Sequence, residues 1–241
     1  VAFAAPSVEE ITPTKKAPFL QPAEADRAEL HTAIKNYMAK EPGTFEAHAA
    51  SRDFPGAVEG KERVARTVAY DANLVHRWDT TNGGAPNLYT SPDVWQETGL
   101  YAAPGEVVVV KVASLPEHRT VKVIVGCHRD SLLKLPKWNR FPVIARTFEL
   151  KVGENKIANA FGGQLFIQSS HKDWRKPMKA SPSTPLQFSN AVAMPTYVLG
   201  KDTPESWAKA KQLPAPWVTL SGKQVILHVQ ASAVKGLADP K

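Results

Sequence analysis

Glu106-Val107-Val108-Val109-Val110-Lys111-Val112 and Val121-Lys122-Val123-Ile124-Val125, joined by a polar turn around Pro116 to Arg119, decide the fold class. β-Branched side chains lose rotamer freedom in a helix and pack well on a pleated surface, so both runs read as strands. Similar runs recur at Val143 to Leu150, Gly163 to Gln168, Ala191 to Leu199 and Gln224 to Val229, with a shorter one at Arg63 to Tyr70. Gly105, Gly126, Gly153, Gly200 and Gly222 punctuate them. Strands parted by Gly and Pro turns predict a mainly β chain with a sandwich or jelly-roll-like layer. The span His171 to Asn190 breaks the pattern with Pro177, Pro182 and Pro185, and reads as an exposed loop carrying Trp174.

Ahead of the strands, Leu30, Ile34, Tyr37 and Met38 fall on one helical stripe between Glu24 and Lys40. Asp26 and Glu29 suit the positive amino end of that helix, and Pro42-Gly43 stops it. His31 and His48 lie in or near the segment, with nothing in the sequence to pair with either. Ser206 to Lys211 reads as a short helix capped by Asp202 or Thr203, with Pro204 in its first turn. The chain thus divides into a Pro-rich extended leader (1–22), a mixed region with one helix (23–90) and a β-rich part (91–241). Turn signals at Asp53-Phe54-Pro55-Gly56 and Thr81-Asn82-Gly83-Gly84 lie in the mixed region.

Composition narrows the function classes. The 241 residues carry a formal charge of +7, spread without blocks of like charge. That describes a solvated basic surface and does not point to nucleic acid as a partner. Cys127 is the single cysteine, so neither an intrachain disulfide nor a cysteine-based zinc site can form. Ala2 and Ala4 before Pro6 resemble the tail of a signal peptide, which predicts a secreted, periplasmic or cell-surface protein. No apolar stretch approaches the roughly 20 residues that span a bilayer, so an integral membrane protein is not expected.

A series of segments, in order, resembles one family. Trp95-Gln96-Glu97-Thr98-Gly99-Leu100-Tyr101-Ala102-Ala103-Pro104-Gly105 is similar to the W-x-x-T-G-L-Y-x-P-P-G opening of the enhancin-like, mucin-active zinc metallopeptidases. Ile124-Val125-Gly126-Cys127-His128-Arg129-Asp130 resembles that family's I-G-x-H-x-D segment, and Trp138-Asn139-Arg140-Phe141-Pro142 its W-x-R-x-P. Phe161-Gly162-Gly163-Gln164-Leu165-Phe166-Ile167 resembles F-G-G-x-I-Y-I. Pro195 to Lys201, Trp207 and Ala215-Pro216-Trp217 are similar to P-Y-F-V-L-G, E-W and A-P-W. The resemblance covers residues 94 to 230 and leaves 1 to 90 outside.

It implies the β-rich front part of an α+β zincin-type peptidase that hydrolyses peptide bonds in O-glycosylated, mucin-type glycoproteins. Members of the family carry His-Glu-x-x-His on a helix, where the histidines bind zinc and the glutamate activates water. The histidines here, at positions 31, 48, 76, 118, 128, 171 and 228, include no two that are four apart. No catalytic residue and no metal ligand are therefore expected in this chain, and the zinc ligands are expected downstream of Lys241. The implied partners are a mucin-type glycoprotein substrate and a carboxy-terminal catalytic chain of the same protein. The alternative is a non-catalytic β-sandwich module that binds host glycans or glycoproteins.

Paired glycines entering a strand let another backbone approach closely. In zinc peptidases an edge strand beside the metal binds the substrate peptide by strand addition. Gly162, Gly163 and Gln164, with Asn159 nearby, are accordingly the candidate substrate-binding residues. The same glycines also suit a β-bulge that curves the sheet. His128 and Asp130 share a face if the strand continues, and read as a structural hydrogen bond rather than as two ligands of a metal site. Cys127 reads as a buried small hydrophobe. Trp95, Tyr101, Trp138, Trp207 and Trp217 are assigned to the core ahead of sugar stacking. Arg140 and Arg146 read as members of surface ion pairs.

Overall fold

The computed structural model describes residues 7–74, 76–80, 87–91, 94–172, 182–223 and 225–241. In chain order the elements are β1 (Phe19–Leu20), α1 (Glu24–Ala39), β2 (Val64–Val68), β3 (His76–Thr80), β4 (Asn87–Ser91) and β5 (Trp95–Ala102). Then follow β6 (Val108–Val112), β7 (Arg119–Val125), β8 (Lys137–Trp138), β9 (Arg146–Glu149), β10 (Gly153–Ile157) and β11 (Gly163–His171). The last third holds β12 (Leu186–Ala193), β13 (Thr196–Val198), α2 (Pro204–Ala210), β14 (Trp217–Ser221), β15 (Ile226–Gln230) and α3 (Ala231–Val234).

The chain is mainly β with an amino-terminal helix, as its valine runs require. One sheet runs β10-β6-β12-β5-β11-β7-β9, with β2 added on β12. Period-two alternation sorts the side chains of each strand: Val108, Val110 and Val112 of β6 and Val121, Val123 and Val125 of β7 point into one core. Leu100, Ile157, Leu165, Ile167, Leu186 and Phe188 join them. Strands from the whole width of the sheet thus share a single core, so the sheet curls almost into a barrel. Each such valine or leucine contributes about 1.5–3 kcal/mol by leaving water.

Loop and domain expectations change in two places. β12 starts at Leu186, so the segment read as a loop over 171–190 gives way to strand at its far end. Leu186 and Phe188 are buried while Gln187 is exposed, an alternation of strand type. Trp174 lies outside the described residues, as does the turn signal at Thr81 to Gly84. β2 belongs to the main sheet although it precedes residue 90, because Val64 to Val68 pair with β12.

The helix α1 buries Leu30, Ile34 and Tyr37, its expected stripe. They pack on Trp138, Phe141, Ile144 and Phe161 in a second core outside the sheet. The leader is docked against this core rather than freely extended. Val8 and Ile11 are buried in it, Phe19 stacks on Trp138 at 5.1 Å, and β1 pairs with β8. Both histidines near α1 also find partners. His31 Nε2 donates to Gln21 Oε1 at 2.8 Å, and the buried His48 bonds Val8 O and Ala50 N. The sequence hid these bonds because each partner sits on the leader or at a turn fixed only by tertiary packing.

The short helix α2 is capped by Thr203, whose hydroxyl accepts from Ser206 N, with Pro204 at its start. Its Trp207 is buried with Tyr197, Val218 and Val234, which attaches the three-stranded sheet β13-β14-β15 to the helices. The opposite face of that small sheet meets the outside of the main sheet.

Candidate functional site

At the head of β11 the chain comes very close to its neighbours. Gly162 has φ +65° and Gly163 φ +143°. A Cβ on Gly162 would lie 2.5 Å from Ala102 O, and one on Gly163 would lie 2.5 Å from the backbone of Gly126. The register between β11 and β5 then shifts between Gln164 and Phe166, so the bulge anticipated from the glycine pair is present. β11 is paired on both sides, with β5 and with β7. The expectation that Gly162, Gly163 and Gln164 lie on an edge strand is therefore corrected: both rows of backbone groups are taken up inside the sheet.

Asn159 is fully buried beside them. Its Nδ2 donates to Ile144 O at 2.8 Å and Gly162 O at 2.9 Å, with a longer contact to Val125 O, and its Oδ1 accepts from Phe161 N. Its side-chain amide thus ties the bend to itself and to the backbone of Val125 and Ile144. Asn159→Ala should cost about 2–4 kcal/mol, since buried carbonyls lose their donor. Urea denaturation measures this, and a loss below about 1 kcal/mol would contradict the role.

Gln164 is the member of the group that faces outward from the main sheet, toward the small one. Its side chain is buried and lies 3.3 Å from His228 Nδ1, which Thr219 Oγ1 reaches at 3.1 Å. The His228 ring stands edge-on to Phe166 at 5.2 Å. Burial lowers the affinity of His228 for a proton. A cavity of about 10 Å³ beside Gln164 is lined also by Tyr101, Cys127, His128 and Trp217. Of these, His128 and Trp217 also meet Phe54, and the three rings touch one another.

The His128 to Asp130 bond read from the sequence does not form. His128 Nδ1 contacts Cys127 Sγ at 3.1 Å, and Asp130 pairs with Arg140 at 2.5 Å, because β7 ends at Val125 and the strand alternation stops there. Burial pushes the Cys127 thiol up to about 11, and burial followed by Arg140 lowers His128, so this is a neutral pair and not a thiolate. Arg146 donates to Ala158 O and Lys40 O, tying α1 to the sheet. Tyr101, Trp138, Trp207 and Trp217 are buried, as assigned; Trp95 is half-buried, with Arg129 over its ring at 5.3 Å.

Glu97, opposite Phe166 in register, was not singled out by any sequence pattern. One of its oxygens is buried without a hydrogen-bond partner, and burial pushes the carboxyl up to about 7. A carboxyl raised above its unfolded value supports the fold below pH 4.5 and loses that support as pH rises through 7. Glu97→Gln should therefore stabilise the chain at pH 8 by about 1–2 kcal/mol, after discounting for the partly solvated position, and much less at pH 4.5. Equal effects in urea titrations at the two pH values would contradict this.

The outer strands of the main sheet, β9 and β10, carry charged residues, whereas the small sheet ends on an uncharged strand. Among the described residues β15 pairs with β14 alone, so its other side is a free edge. Gly222 N donates to Val225 O, and Ala231 N donates to Pro216 O. Hydrogen-bonded pairs alternate along an antiparallel ladder, so Leu227 and Val229 turn their backbone groups toward β14. Ile226, His228 and Gln230 turn theirs outward. Edge strands are ordinarily blunted by charge or proline. β15 has neither, and Val225, Ile226 and Leu227 are 58%, 49% and 51% exposed.

No group of three or more His, Cys, Asp or Glu among the described residues could hold a metal ion, and Cys127 with His128 supplies only two donors. The described residues do not fit a zinc centre. No described helix is long and apolar enough to cross a membrane.

A curled β scaffold with a satellite sheet and an open, uncharged edge defines a β-rich module. Comparison with known proteins places it further. The model of the N-terminal domain of M60-like peptidases matches residues 63–181, and that of peptidase M60, enhancin and enhancin-like, matches residues 190–241. The chain belongs to this enhancin-like M60 family. Among curated relatives, a TRPM8 channel-associated factor homolog of Xenopus laevis is 30% identical over 153 residues, 62% of this chain and 16% of its own length. TRPM8 channel-associated factor 2 of Bos taurus is 27% identical over 93% of the chain and 26% of its own length. The chain thus spans about a quarter or less of these relatives. The IMPa metallopeptidase from Pseudomonas aeruginosa shares the fold at 16% identity with TM-score 0.51, over 84% of this chain and 20% of its own. IMPa in complex with an O-glycopeptide aligns at 14% identity with TM-score 0.51, over 75% of this chain and 19% of its own.

Proposed function

We propose that the chain is the substrate-docking scaffold of a secreted zinc metallopeptidase that hydrolyses peptide bonds in O-glycosylated, mucin-type glycoproteins. The observation that carries the reading is the free, uncharged edge of β15, with the backbone groups of Ile226, His228 and Gln230 turned outward. An extended peptide adds to such an edge through main-chain hydrogen bonds. Gln164 borders the docking edge through His228, while Asn159, Gly162 and Gly163 hold Gln164 in place. Membership of the M60 family supports the hydrolase, and the O-glycopeptide held by IMPa supports the substrate class. Secretion is part of the same proposal and rests on the Ala2 to Pro6 pattern. Zinc and the general base belong, in this reading, to residues outside Val1–Lys241, so no bond-breaking step is derived from the residues present.

The curated relatives are named as TRPM8 channel-associated factors and not as peptidases, and on that ground a second reading is kept, a non-catalytic module that binds host glycans or glycoproteins. Incubating the full-length parent polypeptide with an O-glycopeptide, with and without a zinc chelator, tells them apart. Cleavage that the chelator stops is expected. An intact peptide that nevertheless binds would leave only the second reading.

A further inference from the structure

The leader meets the body at one residue whose bonding leaves no slack. His48 is buried, and Ala50 N donates to its Nδ1 at 3.1 Å. Nδ1 therefore carries no proton, and Nε2 must be the N–H that donates to Val8 O at 3.0 Å. The ring stacks on Phe161 and tilts against Phe141, both at 4.8 Å, with the edge of Tyr37 at 5.6 Å. A second proton has one place to go. On Nδ1 it would face the Ala50 N–H, removing that bond and placing a charge among three aromatic rings.

We propose that His48 is a pH-operated latch whose neutral ring fastens residues 7–14 of the leader to the body and whose protonation releases them. Burial lowers the proton affinity of His48, opposed more weakly by its bond to Val8 and by Glu9. Glu9 is the charged group that faces the ring from the leader, and α1 contributes Tyr37 and Lys40. The strands and loops carrying Phe141 and Phe161 bring no titrating group to it. Glu9 pairs with Lys40 at 3.0 Å and is itself held below 4.5, so that bridge persists while His48 titrates.

The sign follows from linkage. A base whose docked pKa lies below 6.5 contributes fully to docking above that pH. The contribution falls as pH drops from 6.5 through the docked value. Across that window the equilibrium for release rises by up to about tenfold per pH unit. Release withdraws Val8 and Ile11 from Leu30, Ile34, Trp138 and Phe141, uncovering an apolar strip. The far end of the leader, held by β1 and by Gln21 on Leu133 O, has no bond that protonation breaks.

Hydrogen exchange of the Glu10 and Ile11 amides at pH 7.5 and pH 5, corrected for intrinsic rates, tests the latch. Protection should fall on acidification by about tenfold or more in the wild type, with the main sheet unchanged. His48→Gln keeps a donor and an acceptor but cannot titrate, and its leader should be equally protected at both pH values. Unchanged wild-type protection, or an equal fall in His48→Gln, would overturn the proposal. If that variant does not fold, the wild-type ring titration followed by NMR decides: its midpoint must coincide with the change at Ile11, and separate midpoints reject the latch.

Discussion

Gly163→Ala should cost about 4 kcal/mol or more, enough to unfold much of a marginally stable chain. Two effects add. With φ at +143°, an L side chain is strained by about 1–3 kcal/mol before any contact is considered. The new Cβ would also stand 2.5 Å from both N and Cα of Gly126. Those are backbone atoms at the end of β7, and Gly126 N donates to Gln164 O, so moving them breaks the pairing that seats β11. Gly60→Ala is the comparison: φ is +71°, and nothing lies within 4 Å of its Cβ. It should cost about 1–2 kcal/mol from the backbone alone. If urea denaturation gave the two variants equal losses, the close approach at the head of β11 would not be a structural requirement.

Ile226→Pro should weaken binding of an O-glycopeptide by at least about tenfold while changing stability by less than about 1 kcal/mol. The N–H of Ile226 points away from β14, so proline deletes no ladder bond there and its ring blocks the open edge. Leu227→Pro is the opposite case. Leu227 faces Leu220 in a hydrogen-bonded pair, and proline there should cost the small sheet about 3 kcal/mol. Calorimetric titration of the two variants, read beside their unfolding curves, separates a lost docking edge from a damaged fold. Wild-type affinity in Ile226→Pro would remove β15 from the reading.

Local signals were legible in the sequence, and pairings between distant segments were not. The valines of β6 and β7 announced strands because β-branched side chains favour a pleated surface wherever it lies, and Leu30, Ile34 and Tyr37 marked the buried side of α1 because they recur with the helical repeat. Gly162 and Gly163 announced a close approach, because glycine at the start of a strand has few other causes. Their place inside the sheet was not readable, since it depends on β5 and β7, which are distant in sequence. Leu186 and Phe188 were hidden by the polar residues Gln187, Ser189 and Asn190, although alternation was there to be found. The partner of His48 is Val8, 40 residues earlier, and no spacing rule connects them. The open side of β15 is a matter of what fails to pair, which only the assembled sheet discloses.

The most direct test of the docking edge is amide hydrogen exchange along β15 before and after adding an O-glycopeptide. Val225, Leu227 and Val229 face β14 and should change little. Ile226, His228 and Gln230 should gain protection together, giving an every-second-residue pattern. Peptide binding that leaves these three amides exchanging at their free rates would place the ligand elsewhere and contradict the account.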